Sequence, residues 1–381
     1  MRNTRVSTTM AAPRFGIEEE YFLTDLQTLT MVGSPPAQAI EACRETMGVW
    51  FATEMFQGQI EVASPVFSDF AHAGDFLRGS RQALRAALAP FGMGVLSAGS
   101  HPLADWREQV PTDEEHFRHL FEHYGHVARR SVFSGLHVHV EVAESLDRIA
   151  VMNEVLPWTP LLLALSCSSP LWCGAASGFM SYRQTACDEW PRMGIPPLFA
   201  DQRHYDEHLA FLTRIGAIRH PGECWWGVRP SARYPTLELR MTDACPRVED
   251  TLVIAAFFRV LVAHASSQRR PGLLYDQTAR AMLTENRWRA KRLGVHARFL
   301  VEGIDGDCSI GQWLQSAEQR FADTAQALGA PQLFEQARAI IASGTSADRQ
   351  LALFSRALQH PQIGRSALLQ VTDLLLQETT G

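Results

Sequence analysis

The sequence predicts an α+β protein in which a mainly antiparallel sheet is flanked by helices and followed by a helical C-terminal part. From Phe15 to about Met241, short strand-like runs alternate with amphipathic helices. After Met241, hardly a strand-like run occurs, and helical patterns cover 249–268, 273–292, 309–328, 331–343, 346–358 and 364–377. Strands mixed with helices, and then helices alone, are typical of this fold class.

The composition predicts a cytoplasmic protein that does not bind nucleic acid. The chain has 381 residues, of which 46% are hydrophobic, and this is enough for a substantial core. It has 35 Lys and Arg against 41 Asp and Glu, a net charge of −6, and no basic block that would attract nucleic acid. Its seven cysteines form no CxxC pair, which argues against a disulfide framework and against a thiolate zinc site.

We expect a flexible leader at 1–13 and a single domain at 14–381. The leader is basic and rich in hydroxyl groups, but it lacks the apolar core of a secretory signal. The rest of the chain shows no repeat and no strong linker. The most apolar stretch, 156–172, contains three prolines and is short of the ~20 apolar residues that a membrane span needs, so it predicts a buried helix.

Two further helices are expected before Met241. In 72–89, leucines recur on one side, and we expect the arginines on another side, Arg78, Arg81 and Arg85, to form a solvated face. The segment 113–131 opens with acidic residues and closes with basic ones, which matches the dipole of one continuous helix.

Four predicted strands carry an unusual set of polar residues. The first, FGIEEEYFLTD at 15–25, places Glu18 and Glu20 on one face and Glu19 on the other, because alternate residues of a strand share a face. The polar faces of the other three carry Gln59 and Glu61, then His137, His139 and Glu141, and finally Glu238 and Arg240. Protection of an edge strand could explain one such run. Four together predict an acidic face that requires cations.

The residue types favour Mg²⁺ or Mn²⁺ as these cations, because zinc prefers more His and Cys. A magnesium site built from carboxylates usually keeps room for substrate phosphates, so the pattern indicates phosphoryl chemistry on a nucleotide. The chain has neither a GxxxxGK[ST] loop nor a GxSxG motif, so metals and arginines would have to hold the nucleotide. Taken singly, His137 could be a core histidine, Glu61 a surface residue, and Arg240 the ion-pair partner of Glu238.

Several longer segments are similar to one known family. They are FGIEEEYFLTD, QIEVASP, SGLHVHVEV, SGFMSYR at 177–183, WGVRPSARYPTLELRMTDACP at 226–246 and ENRWRAKRLG at 285–294. In these segments the chain resembles the type 2 glutamate–cysteine ligase family, in its carboxylate–amine ligase branch. The resemblance implies a glutamine synthetase-like fold, in which a curved antiparallel sheet holds divalent metals between ATP and an amino acid. It also makes 14–381 a single catalytic domain.

The resemblance implies roles for individual residues. The expected metal ligands are Glu18, Glu20, Glu54, Glu61, His137 and Glu238. Arg240 matches the arginine that faces the transferred phosphoryl group, and together with Glu238 it is expected to be catalytic. The arginines in matching loops, Arg183, Arg229 and Arg233, are expected to hold phosphate or carboxylate groups.

The implied reaction is ATP-dependent formation of γ-glutamylcysteine, a step of glutathione biosynthesis. ATP phosphorylates the γ-carboxylate of glutamate, and the amine of cysteine then displaces phosphate from the γ-glutamyl phosphate. Three alternatives stay open: a ligase for another carboxylate and amine, a metal-dependent hydrolase, and a catalytically silent metal or nucleotide binder. The family also implies a homodimer, without a nucleic-acid or membrane partner.

Overall fold

The computed structural model describes residues 12–267, 276–358 and 364–381. Most of the predicted leader, residue 268 and residues 273–275 therefore lie outside the described residues. In the described part of the chain the strands are β1 (Phe15–Asp25), β2 (Phe51–Thr53), β3 (Gln59–Ala63), β4 (Met93–Leu96), β5 (Gly135–Glu141), β6 (Leu171–Trp172), β7 (Ala175–Ala176), β8 (Met193–Gly194), β9 (Trp225–Trp226), β10 (Val228–Pro230), β11 (Thr236–Asp243), β12 (Arg298–Leu300) and β13 (Asp307–Ser309).

The helices confirm the predicted division of the chain. They are α1 (Ala37–Met47), α2 (Phe70–Leu88), α3 (Glu115–Tyr124), α4 (His126–Arg129), α5 (Arg148–Val155), α6 (Thr159–Ser166), α7 (Tyr182–Cys187), α8 (Gln202–Arg214), α9 (Val248–Ser267), α10 (Gln277–Leu293), α11 (Ile310–Ala327), α12 (Leu333–Ser343), α13 (Ser346–Leu358) and α14 (Gly364–Thr380). After β11, helices α9 to α14 are interrupted only by the short hairpin of β12 and β13 within the described ranges.

The main sheet is antiparallel, as predicted. Its strand order is β10-β11-β5-β1-β3-β2, and β4 pairs with β1 as well. The register places Glu20 of β1 opposite Glu61 of β3, and Glu18 of β1 opposite His137 of β5. Glu238 of β11 lies opposite His139 of β5. Because residues in register share a face, the polar side chains of four strands meet on one side of the sheet.

The opposite side of the sheet packs against helices. Ile17, Val138 and Leu239 point into a hydrophobic core with residues of α5, α6 and α9, and α6 is buried along its whole length. By length and composition Arg148–Ser166 could cross a membrane, but 83% of its most apolar window is buried inside the protein. The prediction of a buried helix within 156–172 therefore agrees with the structure.

The expected solvated face of α2 is wrong at one residue. Arg78 and Arg85 are exposed, but the side chain of Arg81 is only 1% exposed. Its Nη2 lies 2.5 Å from Oε1 of Glu19, which points to the helical side of β1. Arg81 is buried because a carboxylate buried at Glu19 needs an opposite charge.

The helix expected at 113–131 is divided in two. Gly125 separates α3 from α4 and has a φ of 54°, a backbone conformation that glycine adopts more readily than other residues. The charge pattern at the ends of this segment did not reveal the break. Phe117 and Leu120 of α3 line the cavity on the polar face of the sheet that is described below.

Candidate active site

The polar face of the sheet contains two sets of side chains that could each hold a metal ion. The first ligand group is Glu18, His137 and Glu238, and the second ligand group is Glu20, Glu61 and His137. Within each group the candidate ligand atoms all lie within 4.8 Å of one another. Four strands therefore bring together five of the six side chains that the sequence predicts as ligands.

Two histidines hold the carboxylate of Glu18. His137 Nδ1 lies 3.3 Å from Glu18 Oε2, and His139 Nε2 lies 3.2 Å from Glu18 Oε1. Burial raises the pKa of Glu18, but the hydrogen bonds from the two histidines outweigh burial, and the pKa lies well below its ordinary value. Burial, together with the charge of Arg240, lowers the pKa of His137. The lowered pKa favours the neutral imidazole of His137, whose one unprotonated nitrogen can bind a metal ion in either ligand group but not in both at once.

The sixth predicted ligand, Glu54, lies beside Glu61 at the second ligand group. Burial raises the pKa of Glu54 to about 8, and the nearby charge of Glu20 adds to the effect. Burial, followed by the charges of Glu18 and Glu54, raises the pKa of Glu61 well above its ordinary value. Carboxylates crowded in this way are costly to ionise unless a cation lies among them. A set of carboxylates with one imidazole suits a hard divalent cation such as Mg²⁺ or Mn²⁺.

A cavity of about 350 Å³ opens beside the second ligand group. Its ionisable side chains belong to Glu20, Glu54, Glu61, His116, His137, Arg183, Arg219, Glu223 and Arg240, and those of Glu20, Glu54, Glu61, His137, Arg183 and Arg240 form what we call the charged wall. Its apolar wall consists of Met55, Phe117, Leu120, Phe133, Trp190, Met193 and Trp225. We call this space the active-site cavity. Met193 and Trp225 come from the segments 191–199 and 220–235, and the sequence did not show that Trp190 and Phe117 would join them.

Glu238 is held by two of the predicted arginines. Arg240 Nη1 lies 2.5 Å from Glu238 Oε1, and Arg229 Nε lies 2.8 Å from Glu238 Oε2. The charges of Arg240 and Arg229 outweigh burial and lower the pKa of Glu238. Arg240 lines the active-site cavity, whereas Arg229 is not among the residues that line it.

The other two predicted arginines lie in different places. Arg183 lines the active-site cavity, and its Nη1 donates to the carbonyl of Thr242 at 3.0 Å. Nearby Asp243, which the sequence analysis missed, is fully buried and accepts hydrogen bonds from Ser169 and Ser181 in the loop that leads to Arg183. Arg233 is exposed and lines a separate cavity of about 470 Å³.

Comparison with known proteins adds a second line of evidence. The sequence model described as glutamate-cysteine ligase family 2 matches residues 14–368. A protein named "Putative glutamate--cysteine ligase 2" from Pseudomonas fluorescens is 56% identical over 365 residues, which are 96% of this chain and 94% of that protein. A protein of the same name from Pseudomonas aeruginosa is 47% identical over 366 residues, 96% of this chain and 95% of that protein.

Solved structures show the same fold at low sequence identity. The crystal structure of glutamate–cysteine ligase from Francisella tularensis in complex with AMP has a TM-score of 0.73 and is 13% identical, covering 98% of this chain and 90% of that one. A bifunctional glutathione synthetase from Pasteurella multocida has a TM-score of 0.69 and is 16% identical, covering 96% of this chain and 54% of that one.

The family named from the sequence motifs is therefore confirmed. The family match extends over both the strands of the polar face and most of the C-terminal helices. The named relatives match along nearly their whole length, so the match is not confined to one motif or one segment. This chain belongs to glutamate–cysteine ligase family 2 and is a ligase that forms an amide bond.

Proposed function

We propose that the protein joins glutamate to cysteine in an ATP-dependent reaction that passes through γ-glutamyl phosphate and releases ADP and phosphate. One observation carries the proposal: two groups of side chains that could hold metal ions share His137, and the second group lies with Arg240 at one cavity. Carboxylates for cations and arginines for phosphate oxygens are what phosphoryl transfer to a carboxylate requires.

The proposed metal ligands are the two ligand groups, with Glu54 beside the second one. A bound Mg²⁺ or Mn²⁺ would neutralise charge on the phosphates of ATP. We assign the contact with the transferred phosphoryl group to Arg240 and a supporting contact to Arg183, because both residues line the active-site cavity and both guanidinium groups lie close to His137. Arg229 and Arg233 do not line it, so the expected contacts of these two arginines with substrate are not part of the proposal.

The apolar wall has a role in the second half of the reaction. An acyl phosphate is lost to hydrolysis if water reaches it before the amine does. Phe117, Trp190 and Trp225 are placed to limit the access of water to the charged wall. In the proposed mechanism the chain forms no covalent bond to the substrate, and its contribution is positioning and charge stabilisation.

Trapping the intermediate with hydroxylamine tests this proposal. The protein with ATP, Mg²⁺, glutamate and hydroxylamine should release ADP and form a γ-hydroxamate without cysteine. The Glu61→Gln variant should form little hydroxamate, whereas Glu141→Gln, a change at the end of β5 where Glu141 pairs with Arg14, should act like the parent. Phosphate release without hydroxamate would identify a hydrolase. If other carboxylates gave a hydroxamate and glutamate did not, the protein would still be a ligase, but its carboxylate substrate would not be glutamate.

The proposal includes a cytoplasmic homodimer whose residues 14–381 form one catalytic domain. The support is the family itself and the continuity of the family match from residue 14 to residue 368. Light scattering of the purified protein should give twice the mass of the 42.5 kDa chain. A mass equal to one chain at micromolar concentration would contradict the dimer.

A further inference from the structure

Two arginines share the carboxylate of Glu238, but they contact it in different ways. Arg229 approaches with two nitrogens, Nε at 2.8 Å from Oε2 and Nη2 at 3.1 Å from Oε1. Arg240 approaches with Nη1 alone, at 2.5 Å from Oε1. A paired approach of this kind fixes the orientation of a carboxylate, whereas a single contact does not.

The remaining donors of Arg229 are used by the backbone. Its Nη1 donates to the carbonyls of Gly222 and Cys224, both at 2.8 Å. Arg229 also lies directly opposite Glu238 in the pairing of β10 with β11. Releasing Arg229 from Glu238 would therefore break a set of contacts that ties a loop to the sheet. The contacts of Arg229 therefore have a structural role.

Arg240 is much less constrained. Its side chain is 22% exposed and lines the active-site cavity. The pairing of β11 with β5 shifts its register between Leu239 and Thr242, so Arg240 lies in an irregular part of the strand. Among the described residues, the hydrogen bonds of its guanidinium go to Glu238 and His137, so the guanidinium can turn within the cavity without breaking a contact with the backbone.

One nitrogen of Arg240 lies among the side chains of the first ligand group. Nη1 contacts Glu238 at 2.5 Å and His137 Nδ1 at 3.4 Å. These are two of the three members of the first ligand group, and His137 Nδ1 in turn lies 3.3 Å from Glu18. A positive charge thus already lies among the side chains that are assigned to a cation.

We propose that Arg240 binds Glu238 only while no divalent cation is present and is displaced by that cation, whereas Arg229 stays bound to Glu238 and positions it. The inference rests on the proposed function, because it requires a cation at the first ligand group. Displacement frees Nη1 to donate to a phosphoryl oxygen. Arg240 therefore becomes able to bind the phosphoryl group only when the cation has bound. Arg229 is then a positioning residue, and its contacts with Glu238, Gly222 and Cys224 are the same in both states.

Binding of Mn²⁺ in the absence of substrates tests the inference. The measurement is calorimetry of the full-length parent protein and of Arg240→Gln and Arg229→Gln, which remove the same charge from the same carboxylate. We expect Arg240→Gln to bind Mn²⁺ about tenfold more tightly, because a competing cation is gone. We expect Arg229→Gln to bind no more tightly than the parent and to melt at a lower temperature, because the carbonyls of Gly222 and Cys224 lose their donor.

An equal increase of Mn²⁺ affinity in the two variants would show that the affinity depends only on the net charge near Glu238. This result would overturn the inference. Unchanged affinity in Arg240→Gln would overturn it as well. If Arg229→Gln does not fold, Arg229→Lys takes its place, with binding weaker than in the parent as the expected result. Suppose that the parent protein binds Mn²⁺ and forms the hydroxamate, but that Arg240→Gln binds Mn²⁺ no more tightly than the parent. This result would refute the inference and leave the proposed function intact. A parent that binds no Mn²⁺ refutes the metal-dependent function together with the inference.

Discussion

Glu19 and Glu20 are adjacent in β1, but the two sides of the strand balance their charges differently. On the helical side, Glu19 is paired with Arg81 and also accepts hydrogen bonds from Tyr21 and Thr251. On the polar side, Glu20 accepts a hydrogen bond from the Gly135 amide at 2.6 Å, and no Arg or Lys of the described residues forms an ion pair with it. A buried carboxylate with a structural role has its partners within the chain. In the proposed function, the carboxylates of the active-site cavity take their partner, a divalent cation, from solution.

The largest expected effect is on the helical side of β1, where Glu19 is paired with Arg81. Glu19→Gln keeps the shape of the side chain but leaves the guanidinium of Arg81 buried without an opposite charge. We expect the free energy of unfolding to fall by about 3–5 kcal/mol, measured by urea denaturation. The control is Glu141→Gln, which removes the partner of exposed Arg14 and should leave the free energy of unfolding nearly unchanged. Equal losses in the two variants would contradict the distinction.

On the polar side, the change of a glutamate to glutamine should not destabilise the metal-free protein. Glu61→Gln removes one of several crowded carboxylates, so we expect the metal-free protein to unfold at the same urea concentration as the parent or at a higher one. The rate of ADP release should fall on the order of a hundredfold, because a proposed metal ligand is lost. If Glu61→Gln destabilised the metal-free fold as strongly as Glu19→Gln, Glu61 would be a structural residue.

A substitution at Gly135 tests the polar side of β1 further, because Gly135 lies next to His137, the residue that both ligand groups share. A Cβ atom at Gly135 would lie 2.3 Å from Arg183 Nη2 and 2.9 Å from His137 Nε2. We expect Gly135→Ala to displace the Arg183 guanidinium and lower the rate of ADP release about tenfold, at a stability cost of about 1–3 kcal/mol. Gly16→Ala is the matched control, because its Cβ would meet nothing closer than 3.8 Å. Similar rates for Gly135→Ala and Gly16→Ala would show that Arg183 does not need its present position.

His101 provides a third case, a buried group that stays neutral. Burial lowers the pKa of His101 to about 3, and its Nδ1 accepts a hydrogen bond from the Leu103 amide. Below about pH 6.5 the unfolded chain binds a proton that the folded chain does not, so stability is complete above that pH and falls as the pH drops toward 3. We expect His101→Asn to reduce this loss by about 1 kcal/mol per pH unit between pH 6 and pH 4, measured by urea denaturation. A parallel pH dependence in the parent and the variant would contradict the assignment.

The sequence predicted the polar face well, because alternation along a strand is a local property. It placed Glu18 and Glu20 on one face and predicted that Glu61, His137 and Glu238 lie on the polar faces of neighbouring strands, and the resemblance to the family added their expected roles as metal ligands. It did not predict Arg81, because the period of a helix shows which residues share a side but not whether a carboxylate from a distant strand meets them. The pairing of Arg81 with Glu19 joins residues 62 positions apart.

The loops were harder to predict for a similar physical reason. Arg229 and Arg233 lie four residues apart in a stretch of the same character, yet Arg229 is bound to Glu238 and Arg233 is exposed beside the second cavity. The direction of a loop side chain depends on which strand lies opposite, and here β10 pairs with β11 at Arg229. The apolar wall of the active-site cavity was missed because Phe117 and Trp190 come from elements that no local pattern brings together.

The register of β1 also has a consequence for how the chain folds. Glu18 and His137 are separated by 119 residues, and His139 and Thr236 by 97 residues. Contacts between such distant parts of the chain form slowly, because closing long loops costs entropy before the contacts are gained. During synthesis, β1 and β3 can pair early, and β5, which ends at Glu141, can join β1 next, but β11, which ends at Asp243, can join β5 only after about two-thirds of the chain has been made. The newly made protein therefore exposes an incomplete sheet for a time, and this interval is when chaperones would be expected to bind it.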